Sequence, residues 1–335
     1  MEFSSDFWFG HMPEDVLSGR NNRVGADSNQ QLRVRAVWLY YIEGLTQAEV
    51  ANRLKVNRVA VTRMISEARR RGEVRFTINS EIVPLVVLQN ALEERFSLSR
   101  AVVAPSPGAG VDPTRIIAAA AGPIVSEMMQ DNLTVGVGWG RTLQAMLPFI
   151  EANNHSKMRV VSLLGGIARA RRFNPAEFAW QFAEKYDAEG FLIPAPAIVD
   201  TPDTKRALLD RCGLEDIFQM AETSDIGLLS CGGISTLTTS YRLGHVSESE
   251  RQALISEGAV GDLLYNFLDA DGRPVDHPVN ERAISLSLKR LASIKHKMLI
   301  SGGQEKTEII RAVLKALKID TLVTDEATAQ SLVSG

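Results

Sequence analysis

The chain of 335 residues, 45% hydrophobic, 23% charged and 6% aromatic, is long enough for two or three domains and too apolar for a disordered protein. Its longest apolar stretches, such as Ile116 to Ala121 and Phe191 to Val199, are too short to span a bilayer, and two cysteines, Cys212 and Cys231, exclude a disulfide scaffold or a four-cysteine zinc site. The net charge of −3 conceals an asymmetry: Gln31 to Arg75 holds ten basic residues against four acidic, +6, while the rest holds 27 against 36, −9, as expected of a small polyanion-binding module on a larger acidic body.

Residues 1–30 carry Gly10, Pro13, Gly19, Asn21, Asn22, Gly25 and Asn29 with no sustained period, and read as a mostly flexible arm. The cluster Phe3, Phe7, Trp8, Phe9 leaves open a second reading, docking on a partner. A basic region followed by an apolar one is missing from this start, so the expected compartment is the cytoplasm.

Helical patterning runs from Gln31 to Glu43, with Leu32, Ala36, Leu39 and Tyr40 on one face, and stops at Gly44. Thr46-Gln47-Ala48-Glu49 is a capping box that opens a short helix to Leu54. A third helix starts after Asn57 and ends at Gly72, burying Val61, Met64, Ile65 and Ala68 and showing Arg58, Val59, Thr62 and Arg63 on its outer side. Three short helices with a tight joint at Lys55-Val56 and a basic outer face predict a helix-turn-helix over 31–80; the other reading is a plain three-helix bundle with a solvated charged face.

Gly72 to Ile78 alternates as a short strand or wing. Between 81 and 98, Leu85, Leu88, Leu92 and Phe96 form a stripe that suits a linker helix or a dimer-forming one. From 99 to 335 the pattern changes to strand–helix alternation. Ala101–Ala104, Leu133–Val137, Arg159–Leu163, Gly190–Ile193, Ile226–Ser230, His296–Ile300 and Thr321–Val323 read as buried strands. Pro113–Gln130, Pro175–Tyr186, Asp203–Arg211 and Gln304–Leu317 read as helices. The expected architecture is a small N-terminal helix-turn-helix domain plus a larger Rossmann-like α/β domain on a mostly parallel sheet.

Ligands in such sheets bind at the carboxyl ends of strands, where three glycine-rich turns fall. Gly136-Val137-Gly138-Trp139-Gly140-Arg141-Thr142-Leu143 joins a strand to a helix and can hold an anion through backbone N–H groups, the Thr142 hydroxyl and the Arg141 charge. It matches neither the Rossmann fingerprint nor a Walker loop, so ATP hydrolysis is not supported. The second turn is Leu164-Gly165-Gly166. The third is Ser301-Gly302-Gly303-Gln304-Glu305-Lys306, where a lysine in a first helical turn calls for a nearby anion or stands solvated. Asp262, within Gly258-Ala259-Val260-Gly261-Asp262, needs donors in an apolar stretch; polyol hydroxyls would serve, and a cap or surface ion pair is the alternative. The five histidines are scattered and no cysteine stands at ligand spacing, so neither a metal nor another cofactor is expected. No Gly-x-Ser-x-Gly elbow occurs, and Cys231 before Gly232-Gly233 is either reactive or a small core residue.

Taken together, the motifs resemble those of SorC-type sugar-operon regulators, related to the deoxyribonucleoside and central glycolytic gene regulators. The matching stretches are Gly44-Leu45-Thr46-Gln47-Ala48-Glu49-Val50-Ala51, the turn from Gly136 to Leu143, Gly258 to Asp262, Asp269-Ala270-Asp271-Gly272, Gly302 to Lys306 and Leu322-Val323-Thr324-Asp325-Glu326-Ala327-Thr328-Ala329, in the same order over residues 31–335. The resemblance implies a DNA-binding domain followed by an effector domain of the phosphosugar isomerase and CoA-transferase type, a sugar or polyol effector that is usually phosphorylated, and a homotetramer. It implies an anion-binding loop from Gly138 to Thr142, with Lys306 paired with the phosphate, Asp262 on sugar hydroxyls and Gln304 among the effector-binding residues. Three departures stand out. Lys55 replaces a glycine, so a left-handed turn there costs about 1 kcal/mol. Arg58-Val59-Ala60 is a less polar start than usual for a recognition helix, and the 30-residue arm has no counterpart.

The function expected from these residues is regulation of transcription, with operator affinity set by a sugar-like effector. On double-stranded DNA, Arg58, Thr62 and Arg63 are expected at base edges, Val59 beside them, and Gln47, Arg53 and Arg70 at phosphates. A free polyol held by Trp139 and Asp262 is the other reading of the cleft. The competing class is a sugar-phosphate isomerase or deaminase with a helical appendage, for which only Asp262 and Lys306 offer themselves as acid and base.

Overall fold

Thr46 and Asn57 set the frame of the N-terminal unit in a computed structural model that describes residues 24–74, 83–108, 110–167, 174–235, 238–242 and 244–335. Helix α1 (Val24–Tyr41) is followed by α2 (Gln47–Leu54) and α3 (Arg58–Arg70). The capping box forms: Glu49 N–H donates to Thr46 Oγ1 at 3.3 Å and Thr46 N–H to Glu49 Oε2 at 2.8 Å. The Asn57 side chain caps α3 by accepting from Ala60 N–H at 2.7 Å. Between them Lys55 sits at φ 54, the left-handed turn a helix-turn-helix requires, made here without glycine.

Ala36, Leu39, Val50, Ala51, Val61 and Ile65 form the core of this unit. Arg33, only 8% exposed, donates to Glu73 and ties the chain beyond α3 back to α1. One expectation needs correction. The helix begins at Val24, so 24–30 are helical rather than part of a flexible arm. Leucine-poor, asparagine-containing segments give little periodic signal, and the apolar face begins only at Leu32. The aromatic cluster from Phe3 to Phe9 and the proposed wing from Arg75 onward lie outside the described residues.

The chain divides into two compact units, Met1–Asn79 and Ser80–Gly335. The second opens with α4 (Val83–Phe96), whose Leu92 is fully buried with Leu85, Leu88 and Phe96 packed around it in the core of that unit. The stripe is therefore spent within its own unit, leaving Val86 and Val87 exposed.

Strand–helix alternation follows: β1 (Arg100–Ala104), α5 (Thr114–Met128), β2 (Thr134–Val137), α6 (Arg141–Met146), β3 (Arg159–Gly166), α7 (Pro175–Lys185), β4 (Glu189–Pro196), α8 (Pro202–Arg211), α9 (Leu214–Glu222) and β5 (Ile226–Leu229). Next come β6 (Cys231–Gly233), α10 (Thr239–Arg242), α11 (Glu248–Ser256), β7 (Ala259–Leu263), β8 (Asn266–Asp269), α12 (Pro278–Arg282), α13 (Leu288–Ala292), β9 (His296–Ile300), α14 (Thr307–Ala316), β10 (Thr321–Asp325) and α15 (Glu326–Ser334).

Among the described residues, seven parallel strands form one sheet in the order β1-β10-β9-β5-β2-β3-β4. Their apolar runs are buried on both faces, as parallel sheets require. From β2 the chain steps outward through β3 and β4, then returns to β5 and steps the other way through β9 and β10. The order thus reverses between β2 and β5, and a crevice opens at the carboxyl ends there.

A second sheet, β6-β7-β8, is antiparallel and stands over that crevice end of β5. It was not expected from the pattern, because strands of three to five residues rich in glycine and aspartate read as turns. The β7–β8 turn places Leu264 and Tyr265 at φ 53 and 61, conformations that such hairpins normally give to asparagine and glycine.

Candidate functional site

The strand ends flanking the reversal, β2 on one side and β5, β9 and β10 on the other, converge on a cleft of about 560 Å³. Trp139, Gly140 and Arg141 come from the end of β2, Ser230 to Gly233 from β5 and β6, Gly303 to Lys306 from β9, Asp325 from β10, and Asp112 from the segment after β1. Asp262 enters from β7, where it pairs with Gly232 across the small sheet.

Six residues expected to bind the effector therefore meet in one place: Trp139, Gly140, Arg141, Asp262, Gln304 and Lys306. Gly140 needs its glycine, at φ 137, to turn the chain from β2 into α6. Four others do not line the cleft. Gly138 spends its N–H on Leu228 O at 2.8 Å, and Thr142 is 1% exposed inside the core. Gly165 and Gly166 end β3, one strand further from the reversal than β2, and a Cβ on Gly165 would lie 2.5 Å from the carbonyl of Ala195. Those glycines permit close strand packing, a role their sequence shares with phosphate loops.

The cleft brings cations and carboxylates together. Lys306 makes no ion pair among the described residues, and Arg242, at the end of α10, is a further exposed lining cation without one. Arg141 Nη1 donates to Asp112 Oδ2 at 3.0 Å. Asp112 and Arg242 were missed in the sequence because neither sits in a glycine-rich turn; only proximity in the fold reveals them. Partial burial opposes ionisation of Asp112, but hydrogen bonds from Thr114 with Arg141 and Lys306 nearby hold its carboxyl below the usual value.

Asp262 is 4% exposed. Burial pushes its carboxyl up to about 7, opposed by the Tyr265 N–H bonded to Oδ2 at 2.9 Å and by the charge of Lys306. Tyr265 in turn stacks on Trp139, with centroids 5.2 Å apart, and its hydroxyl bonds His245 Nδ1 at 2.6 Å. Asp325 accepts from Gly303 N–H at 2.8 Å and from the Thr328 hydroxyl, fixing the loop that presents Lys306. Cys231 is buried against Ser301, and burial pushes its thiol up to about 11.

On the N-terminal unit, Arg58, Val59 and Arg63 are exposed along α3, with Val59 76% exposed. Thr62 donates to Gln47 Oε1 at 2.9 Å, and this pair joins α2 to α3 instead of standing free. Arg53 pairs with Glu43 at 3.0 Å and Arg70 with Glu67, both with more than half of the arginine side chain exposed.

An α/β unit with a polar cleft at its strand reversal, in a chain with a basic helix-turn-helix, defines a ligand-responsive DNA-binding regulator. Residues 80–334 match the family described as "Putative sugar-binding domain". The chain is 30% identical to the erythritol catabolism regulatory protein EryD of Brucella abortus over 310 residues, 92% of this chain and 98% of that one. It is 30% identical to the deoxyribonucleoside regulator of Bacillus subtilis, over 91% and 98% of the two chains. The crystal structure of the full-length sorbitol operon regulator SorC from Klebsiella pneumoniae shares the fold, with TM-score 0.69 and 23% identity over 91% of this chain and 99% of that one. The chain belongs to the SorC-type family of sugar-binding transcriptional regulators. These relatives are regulators, so the isomerase or deaminase reading is not favoured. No helix among the described residues is long and apolar enough to cross a membrane.

Proposed function

We propose that the cleft binds a phosphorylated sugar or polyol and that its occupancy sets the affinity of α3 for operator DNA, in a cytoplasmic homotetramer. The observation that carries this reading is the pairing, in one cleft, of the cations Arg141, Lys306 and Arg242 with the buried carboxylate of Asp262. The cations match a phosphate; Asp262, which lines the cleft with its Oδ2 accepting from Tyr265 N–H, is the acceptor for hydroxyl donors; the Trp139 ring offers an apolar wall to sugar C–H groups. Relatives named for erythritol catabolism and for deoxyribonucleosides place short polyols and pentose compounds first among the candidates.

Arg58 and Arg63 are the arginines placed to read guanine edges, and the exposed Val59 suits a thymine methyl. Thr62, bonded to Gln47, is assigned to holding the two helices in register, and Arg53 and Arg70 to phosphates. The test is selection of binding sites from random duplexes, with and without sugars and their phosphates. Arg63→Ala should lose about 1–3 kcal/mol and relax preference at one base pair. Operator discrimination unchanged in that variant, or DNA binding indifferent to every sugar and phosphate, would overturn the reading.

A pH dependence follows from Asp262. Burial raises its folded-state value to about 7, so stability from the protonated carboxyl is present at low pH and lost as pH rises through 7. A ligand whose hydroxyls donate to the carboxylate favours the ionised form and releases a proton on binding. Affinity for an unphosphorylated polyol should therefore rise by up to about tenfold per pH unit below neutrality and level off above it. Calorimetric titrations between pH 5.5 and 8.5 check this, and a flat profile would remove Asp262 from the ligand.

A further inference from the structure

Asp112 is bound on both carboxylate oxygens. Oδ1 accepts the Thr114 N–H at 2.9 Å, at the entrance to α5, and Oδ2 accepts from Arg141 at 3.0 Å. Its side chain is 54% exposed and lines the cleft beside Lys306 and Arg141. The carboxylate thus stands among the cations, engaging the guanidinium that an anionic ligand would use. We propose that Asp112 is a built-in competitor for the anion site, which an incoming phosphate must displace from Arg141, and that it raises the concentration at which any anion occupies the site.

The inference rests on the proposed phosphate reading of the cleft. A phosphosugar gains contacts at Asp262 and Trp139 that inorganic phosphate lacks, so it fills the site at concentrations where free phosphate, facing the same cost at Arg141, does not. A neutral polyol leaves the pair intact. The competitor therefore raises the threshold for anions alone and leaves the hydroxyl contacts of the cleft untouched. Displacement also frees one anchor of the residues leading into α5, since Asp112 accepts from Thr114 N–H, at the first residue of that helix, and from Arg141.

The test uses the full chain and inorganic phosphate, titrated against chloride at constant ionic strength and followed by thermal stabilisation. Asp112→Asn keeps an acceptor for Thr114 N–H and removes the charge, so the unliganded protein should melt near the wild-type temperature. Its phosphate affinity should rise about fivefold, the upper end of what an exposed ion pair is worth. The gain should vanish in an Arg141→Ala background, because there the carboxylate has no cation to withhold. Unchanged or weaker phosphate binding in Asp112→Asn, or a gain that persists without Arg141, overturns the proposal. If wild-type protection by phosphate is lost in Lys306→Ala but unmoved by Asp112→Asn, the phosphate reading stands and the competitor falls. If no form of the protein responds to phosphate at any concentration, both fall.

Discussion

Replacing Tyr265 with alanine is expected to destabilise the ligand-binding unit by about 3–5 kcal/mol, the range for deleting a large buried aromatic side chain. The residue is fully buried and joins three parts of the structure. Its ring stacks on Trp139, which follows β2; its hydroxyl bonds His245; and its N–H holds Asp262. All this is achieved at φ 61 beside Leu264 at φ 53, two residues that disfavour this conformation. Alanine relieves none of that strain while removing the ring that compensates it. Tyr265→Phe keeps the stack and loses only the hydroxyl bond, worth about 1 kcal/mol.

Chemical denaturation of the two variants separates these terms. A difference between them below about 1 kcal/mol would mean that the stack on Trp139 contributes little and that the turn is held by its backbone alone. The same ring shapes the site, because the strained turn is what directs the Tyr265 N–H at Oδ2 of Asp262, which lines the cleft. Tyr265→Ala should accordingly weaken polyol binding along with stability, whereas Tyr265→Phe should bind nearly as the wild type does.

The parallel sheet was legible because its strands are continuous apolar runs bounded by glycine, a signal that survives without knowledge of neighbours. The joint at Lys55 was legible too: the capping box at Thr46 and the cap at Asn57 leave so few residues between α2 and α3 that a left-handed conformation is forced on a lysine. Which glycine turns belong to the cleft was not legible. Gly140 and Gly165 look alike in the chain, and only the strand order separates them, because β2 borders the reversal that opens the crevice and β3 lies one strand further from it. Asp112 and Arg242 escaped for the complementary reason, being ordinary surface residues until the fold sets them beside Arg141 and Lys306. The short β6-β7-β8 sheet was hidden by its length, yet it carries Asp262 and the strained turn, the part of the cleft with the most perturbed carboxylate.

Lys306→Ala should separate ligand sensing from DNA binding. At a ligand concentration of 100 times the wild-type dissociation constant, the bound wild type gains about 2.7 kcal/mol of stability. A hydrogen-bonded charge pair with phosphate is worth about 1.5–3 kcal/mol, which corresponds to a weakening of roughly 10- to 100-fold. At that same concentration the variant should gain only about 0.4–1.4 kcal/mol. Stabilisation by the unphosphorylated polyol should fall far less, since Lys306 acts on that ligand only through its charge beside Asp262. Operator affinity without ligand should be unchanged, because Lys306 lies in the Ser80–Gly335 unit and the residues proposed to read DNA in the other. The ligand's shift of operator affinity should then appear only at higher concentration, displaced by the same factor as its binding. By linkage, operator DNA must alter ligand affinity in equal measure in both proteins. Thermal melts and operator titrations on the same samples decide the matter. Full stabilisation of Lys306→Ala by the phosphorylated ligand would move the anion contact to Arg141 and Arg242; loss of operator binding without ligand would instead make Lys306 a determinant of the DNA-competent state.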